Sequence, residues 1–208
     1  MLKLYGFRTS SYYSMVKLTL MEKEIPFEEV HVPIVSGVLE PDPGYLEKNP
    51  IGKVPTLETE HGCLSETSVI IDYLDELAGR SFYPRDSFSK AKTRELIKHI
   101  ELYLELPARR LFGEFFSNPV SDAEKRAVQP LLESGIRALT ALAKFEPYLM
   151  GKTITYADFF GLFALNSVTR VTQGVYDWDT YNTVPGLRRM METMRAQPKV
   201  KRLFAERE

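Results

Sequence analysis

The stretch Asn49-Pro50-Ile51-Gly52-Lys53-Val54-Pro55-Thr56-Leu57 decides how this chain is read, together with Ser65-Glu66-Thr67-Ser68 that follows it. The first segment ends in a Val-Pro step, the kind of peptide bond that adopts cis in folded proteins. A cis Pro55 would expose the Val54 N–H and C=O, which can then pair with a ligand main chain as a short strand would; an ordinary trans proline at a strand start is the alternative. The second segment is a polar helix start, where backbone amides and the helix dipole favour a carboxylate. The two together describe a grip for a small peptide-like molecule.

Working outward, Leu2 and Leu4 alternate with Lys3 and Tyr5, which predicts a strand. A short polar loop, 6–11, leads into a helix on which Tyr12, Met15, Val16 and Leu20 fall at helical spacing, ended by Pro26. Phe27 to Val32 reads as a second strand. Residues 33–44, with three prolines and two glycines, read as an irregular loop, and Tyr45-Leu46 as the start of a short helix. Val54 to Thr59 is a third strand, Glu60-His61-Gly62 a hairpin turn, and Cys63-Leu64 a fourth strand. Ser65 is expected to open a helix with the stripe Ile70, Tyr73, Leu74 and Leu77, capped by Gly79. The β1-helix-β2 crossover implies parallel strands, and the hairpin adds an antiparallel pair.

Beyond Gly79 the pattern is helical. The expected organisation is a domain over 1–79, a linker over 80–88 and an all-helical domain over 89–208. One long helix is predicted from about Ser89 to Phe116, with Pro107 as a kink. Ser121-Asp122-Ala123-Glu124 reads as a capping box, with Glu124 reaching back to the cap. It opens a helix carrying Val128, Leu131, Leu132, Ile136, Leu139 and Ala143, with Pro130 inside it. Phe159 to Leu165 is apolar almost all round and is expected at the centre of its domain.

Composition removes several classes of function. A chain of 208 residues, 44% hydrophobic, can build one or two real cores. A formal net charge of -1 and the lack of a basic run argue against nucleic acid and anionic membranes as partners. No apolar stretch approaches the roughly 18 residues of a membrane span. The single cysteine, Cys63, forms no internal disulfide and fits a reducing, cytoplasmic setting. One Cys with scattered His31, His61 and His99 leaves no metal site to expect.

These motifs, with Gly151-Lys152-Thr153-Ile154-Thr155-Tyr156-Ala157-Asp158, resemble the glutathione transferase family over nearly the whole chain. Thr155 and Asp158 resemble its buried helix-capping pair. The resemblance implies an α/β thioredoxin-like N-terminal domain, an all-α C-terminal domain, glutathione as co-substrate, a small hydrophobic electrophile and a homodimer. It places thiol activation at the loop before the first helix. Ser10 is the first choice and Ser11 the close rival, with Thr9 beside them as a contact. Tyr5 resembles the tyrosine of other classes, and either serine also reads as a plain N-cap. Val54 and Pro55 would hold the cysteinyl unit. Glu66 would accept from the γ-glutamyl ammonium and Thr67 would hold its carboxylate, while Lys53 is offered for the glycyl carboxylate or as an ordinary exposed lysine. Tyr12, Tyr103, Leu106, Arg110, Phe112, Phe115 and Asn166 are the candidate wall for the second substrate. Other glutathione-dependent chemistry (isomerase, dehalogenase, peroxidase) and a non-catalytic interaction module stand as alternatives.

Overall fold

The computed structural model describes residues 1–35, 38–116 and 118–207. Ser36 and Gly37 of the expected loop, and Glu208 of the expected helical domain, lie outside the described residues. The chain divides into two compact units, residues 1–81 with 198–208, and residues 82–197.

The first unit begins with β1 (Leu2–Gly6), α1 (Ser11–Glu22), β2 (Phe27–His31), β3 (Ile34–Val35), β4 (Val38–Leu39) and α2 (Pro43–Lys48). It continues through β5 (Thr56–Thr59), β6 (Gly62–Ser65) and α3 (Thr67–Leu77). The four-stranded sheet has the order β2-β1-β5-β6. β1 pairs parallel with β2, Leu2 opposite Phe27, and antiparallel with β5, Tyr5 opposite Thr56. β6 closes the hairpin, with Thr56 opposite Ser65. The segment read as irregular contains a small ladder, Ile34 opposite Leu39, as its β-branched residues favour. Ser65 ends a strand and does not open a helix; α3 starts at Thr67. The buried stripe of α3 is Thr67, Ile70, Ile71 and Leu74, while Leu77 is 48% exposed. The spacing rule carried the stripe one turn past the point where the helix leaves its core.

The second unit contains α4 (Ser87–Ile100), a π-helical turn over Glu101–Glu105, α5 (Leu106–Arg109) and a 3₁₀ turn over Phe112–Phe115. Then follow α6 (Asp122–Leu142), α7 (Tyr156–Phe160), a second π turn over Gly161–Leu165 and α8 (Asn166–Tyr176). α9 (Thr180–Thr183) and α10 (Leu187–Ala196) complete it. α4 starts inside the segment expected as linker because Asp86 caps it, accepting from Ser89 N at 2.8 Å. The single long helix is interrupted ahead of Pro107. Leu106 N–H bonds back to Glu101 C=O, a wider turn placed where Pro107 then supplies no donor. Pro130 lies on the exposed face of α6, so its missing bond faces solvent. Ser121 caps α6, but Glu124 does not complete the box; its carboxylate holds Arg110 at 2.6 Å. Leu131 is 44% exposed and lies off the buried stripe of Val128, Leu132, Gly135, Ile136 and Leu139. Tyr156 through Leu165 is buried throughout, at the centre of this unit. Asp158 accepts from Leu149 N and Thr155 N, both at 2.7 Å, and from Thr155 Oγ1. Burial pushes its carboxyl up to about 6, against the opposing pull of those bonds.

The last helix, α11 (Pro198–Ala205), groups with the first unit rather than with the helices that precede it. It packs on α1 and buries Val200 and Leu203. Covered by β1, α3 and α11, α1 is buried continuously from Tyr13 to Leu20.

Candidate active site

Strand register assembles the site. Tyr5, Thr56 and Ser65 stand in one row across β1, β5 and β6. The chain leaves β1 just past this row, enters β5 just before it, and leaves β6 at it. The loop Phe7–Ser10, the Val54–Pro55 step and the Glu66–Thr67 junction therefore share one end of the sheet. Thr9 and Glu66, 57 positions apart in sequence, are brought to a common edge by two pairings.

The Val54–Pro55 peptide is cis. Among the described residues, neither the N–H nor the C=O of Val54 has a hydrogen-bond partner. The preceding carbonyl is firmly held. Lys53 C=O accepts from Tyr45 Oη at 2.5 Å and from Asn49 Nδ2 at 2.8 Å. Asn49 Nδ2 also reaches Thr56 Oγ1 at 3.0 Å, and Asn49 Oδ1 accepts Ile51 N. Asn49 and Tyr45 are 2% and 5% exposed. This buried cluster fixes both sides of the Val54–Pro55 step. No local sequence signal marks Asn49 for this task, and Tyr45 signals only a short helix.

Ser10 is the N-cap of α1, its Oγ accepting from Tyr13 N at 3.3 Å. That bond uses a lone pair, and among the described residues the Ser10 O–H has no acceptor. Capping and donation to a ligand are thus compatible. Ser11 is the first residue of the helix, half-buried, and Thr9 is exposed. Two tyrosines near the loop have committed hydroxyls. Tyr5 Oη donates to Glu58 Oε2 at 2.6 Å, and Tyr13 Oη to Glu29 Oε2 at 2.5 Å. Burial first, and then the neighbouring carboxylate, raises both phenols above their ordinary value. Each hydroxyl proton is already donated to a carboxylate.

At the third segment Glu66 has φ 67°, a region a non-glycine side chain rarely enters, and it gives α3 no side-chain cap. Its carboxylate is exposed, while Thr67 is buried at the start of the helix. Lys53 is exposed and, among the described residues, forms no ion pair. The residues offered for a second substrate are more scattered. Tyr12 is half-buried on α1. Tyr103 lines a 370 Å³ cleft with His99, Pro107 and Gly135, whereas Asn166 lines a separate 500 Å³ cleft with Arg170 and Arg188. Leu106 is 43% exposed, Phe112 faces the Arg109 guanidinium, and Phe115 stacks under Arg170 at 4.4 Å. Arg110 is engaged by Glu124. Among the described residues no group of three His, Cys, Asp or Glu is placed to hold a metal, and no helix is long and apolar enough to cross a membrane.

Comparison with known proteins bears on the fold and the family. The family model for the glutathione S-transferase N-terminal domain matches residues 4–82, and that for the C-terminal domain matches residues 114–207. The chain is 42% identical to a glutathione S-transferase of Pseudomonas putida, over all of this chain and 93% of that one. A crystal structure of a glutathione S-transferase from Pseudomonas fluorescens superposes with a TM-score of 0.75 at 25% identity, covering 95% and 96% of the two chains. One from Methylobacillus flagellatus, solved with GSH bound, superposes at 0.77 with 22% identity over 98% of each chain. The four-stranded mixed sheet with its helical companion is the fold those structures share, and the chain belongs to the glutathione S-transferase family.

Proposed function

We propose that this transferase binds glutathione along the Val54 main chain and activates its thiol through the Ser10 hydroxyl for attack on small hydrophobic electrophiles. One observation carries the reading: the Tyr5–Thr56–Ser65 row sets an unspent serine hydroxyl, an unpaired peptide unit and a polar helix start at one end of the sheet. The unpaired Val54 groups suit the cysteinyl peptide unit. Glu66 suits the γ-glutamyl ammonium and the α3 N-terminus, at Thr67, its carboxylate. The unpaired Lys53 suits the glycyl carboxylate.

The energetics fit one hydroxyl and one helix. A free thiol has a pKa of about 8.5, and lowering it by ~2 units needs roughly 2.7 kcal/mol of preference for the thiolate. A hydrogen bond to a charged group contributes about 1.5–3 kcal/mol. The N-terminus of the twelve-residue α1 adds ~0.3–1 kcal/mol. Cys63 lies in β6, away from this loop, so a protein thiol for disulfide exchange is missing from it. A cytoplasmic location, a homodimer and a detoxifying role accord with family membership and belong to this proposal.

Conjugation of glutathione to a generic aryl halide tests it. Ser10→Ala is expected to lose most turnover while keeping retention on immobilised glutathione, with Ser11→Ala close to the parent. Retention by the parent without any turnover would instead favour a binding module. The reverse ranking of the two serines would move the activating role to Ser11.

A further inference from the structure

After α11 the chain folds back over the start of α1. Glu206 holds Lys17 Nζ at 2.5 Å and Arg202 Nε at 3.0 Å, and Lys17 is itself held by Glu29 at 2.7 Å. This anchors the residue that follows. Arg207 Nη2 donates to Thr9 C=O at 2.9 Å, and Arg207 Nη1 to Ser14 Oγ at 2.6 Å. Ser14 Oγ in turn donates to Ser10 C=O at 2.8 Å.

Two peptide planes flank Ser10, and the Arg207 guanidinium acts on both. The plane before it is held at Thr9 C=O by Arg207 and at Ser10 N–H by Phe7 C=O, 3.1 Å away. The plane after it is held at Ser10 C=O by Ser14 N at 3.0 Å and by the Ser14 hydroxyl that Arg207 orients. These planes set φ and ψ of Ser10, -68° and 126°, and hence where its Cα–Cβ bond points; the cap bond from Tyr13 N at 3.3 Å then sets the rotamer that places Oγ. We propose that Arg207 is a positioning residue for thiol activation: by fixing the peptide planes on either side of Ser10 it aims the Ser10 hydroxyl at the bound sulfur. The proposal rests on the reading of Ser10 given above.

An arginine suits this task better than a lysine. Its planar fork places two donors on two acceptors at once, whereas an ammonium is a point donor on a flexible stem. Burial draws the Arg207 pKa below its ordinary value, yet a guanidinium starts so high that it stays charged.

The test compares Arg207→Ala, Arg207→Lys, Ser10→Ala and the double variant Ser10→Ala/Arg207→Ala. Two readouts are taken: the ultraviolet titration of the thiolate in glutathione-saturated protein, and kcat and KM separately. Arg207→Ala is expected to raise the bound-thiol pKa by about half to one unit and to lower kcat roughly three- to tenfold, with KM for glutathione within about twofold. Arg207→Lys should fall between the alanine variant and the parent. In the Ser10→Ala background, Arg207→Ala should move the bound-thiol pKa by no more than about 0.3 units and kcat by no more than about twofold, because both residues act through one hydroxyl. Parent values in Arg207→Ala, or equal losses with and without Ser10, would overturn the proposal. Should the alanine variant not fold, parent values in Arg207→Lys would overturn it as well. If Ser10→Ala raises the thiol pKa and Arg207→Ala does not, this proposal alone falls. If Ser10→Ala leaves that pKa unmoved, the Ser10 reading falls and takes this one with it.

Discussion

Replacing Asn49 by alanine probes the scaffold beneath the proposed glutathione site. The Asn49 amide donates to Lys53 C=O and Thr56 Oγ1 and accepts from Ile51 N, and the residue is 2% exposed. Each such bond contributes about 1 kcal/mol net, and more where a buried partner is left unsatisfied. Lys53 C=O and Thr56 Oγ1 both keep Tyr45 Oη as a partner, at 2.5 and 2.8 Å, so the full penalty does not apply at either. The expected loss is therefore about 2–3 kcal/mol. At roughly 2–4 °C per kcal/mol for a chain of this size, that lowers the unfolding midpoint by about 4–12 °C. Asn49→Asp should be worse than Asn49→Ala. It keeps the acceptor for Ile51 N but sets a carboxylate against Lys53 C=O in a buried site. Urea unfolding of the three proteins measures the ranking, and calorimetric titration with glutathione measures how far loosening the Val54 step weakens binding. A loss below about 0.5 kcal/mol in Asn49→Ala, or an aspartate variant as stable as the parent, would refute this account of the cluster.

Three further outcomes are expected. Asp158→Ala deprives two buried amides, Leu149 N and Thr155 N, of their acceptor, and should cost about 2–5 kcal/mol by thermal or urea unfolding. Glu66→Gly should leave stability unchanged or raise it by up to ~2 kcal/mol, since it relieves a φ of 67° at the cost of added chain entropy, yet it should weaken glutathione binding by calorimetry. Glu58 is held at about 2, below its ordinary 4.5, chiefly by the hydrogen bond from Lys48 and then that from Tyr5. A depressed carboxyl stabilises the fold above its unfolded pKa and loses that contribution as pH falls through the folded value. The stability difference between the parent and Glu58→Gln should therefore be about 1 kcal/mol at pH ~6, after allowance for solvent screening, and shrink as pH falls from ~4.5 towards ~2.

Much of the fold and of the proposed site was legible because its signals are local. Val54-Pro55, the α1 start at Ser10-Ser11 and the Thr155–Asp158 cap each declare themselves within a few residues. The Glu66–Thr67 junction was found by its polarity but misplaced in register, because a serine before a hydrophobic stripe looks like a cap whether it ends a strand or starts a helix. The π turns at Glu101–Glu105 and Gly161–Leu165 have no signature of their own. A proline at position 107 announces a disturbance without saying how the backbone absorbs it. Leu77 and Leu131 were read as core because periodicity reports a face, not where its neighbour stops. Arg207 was invisible for a different reason. Its acceptor, Thr9 C=O, lies 198 positions away and is a backbone atom, so no side-chain pattern could point to it. Lys53 C=O, which gives Tyr45 and Asn49 their role, is close in sequence but is likewise a backbone atom that no side-chain pattern marks.

A crystal structure with glutathione bound tests the central claim most directly. The account predicts the cysteinyl N–H and C=O paired with Val54 and the sulfur within hydrogen-bonding reach of Ser10 Oγ. Sulfur facing Ser11 or Tyr5 instead, or a tripeptide bound away from the Val54 main chain, would contradict it.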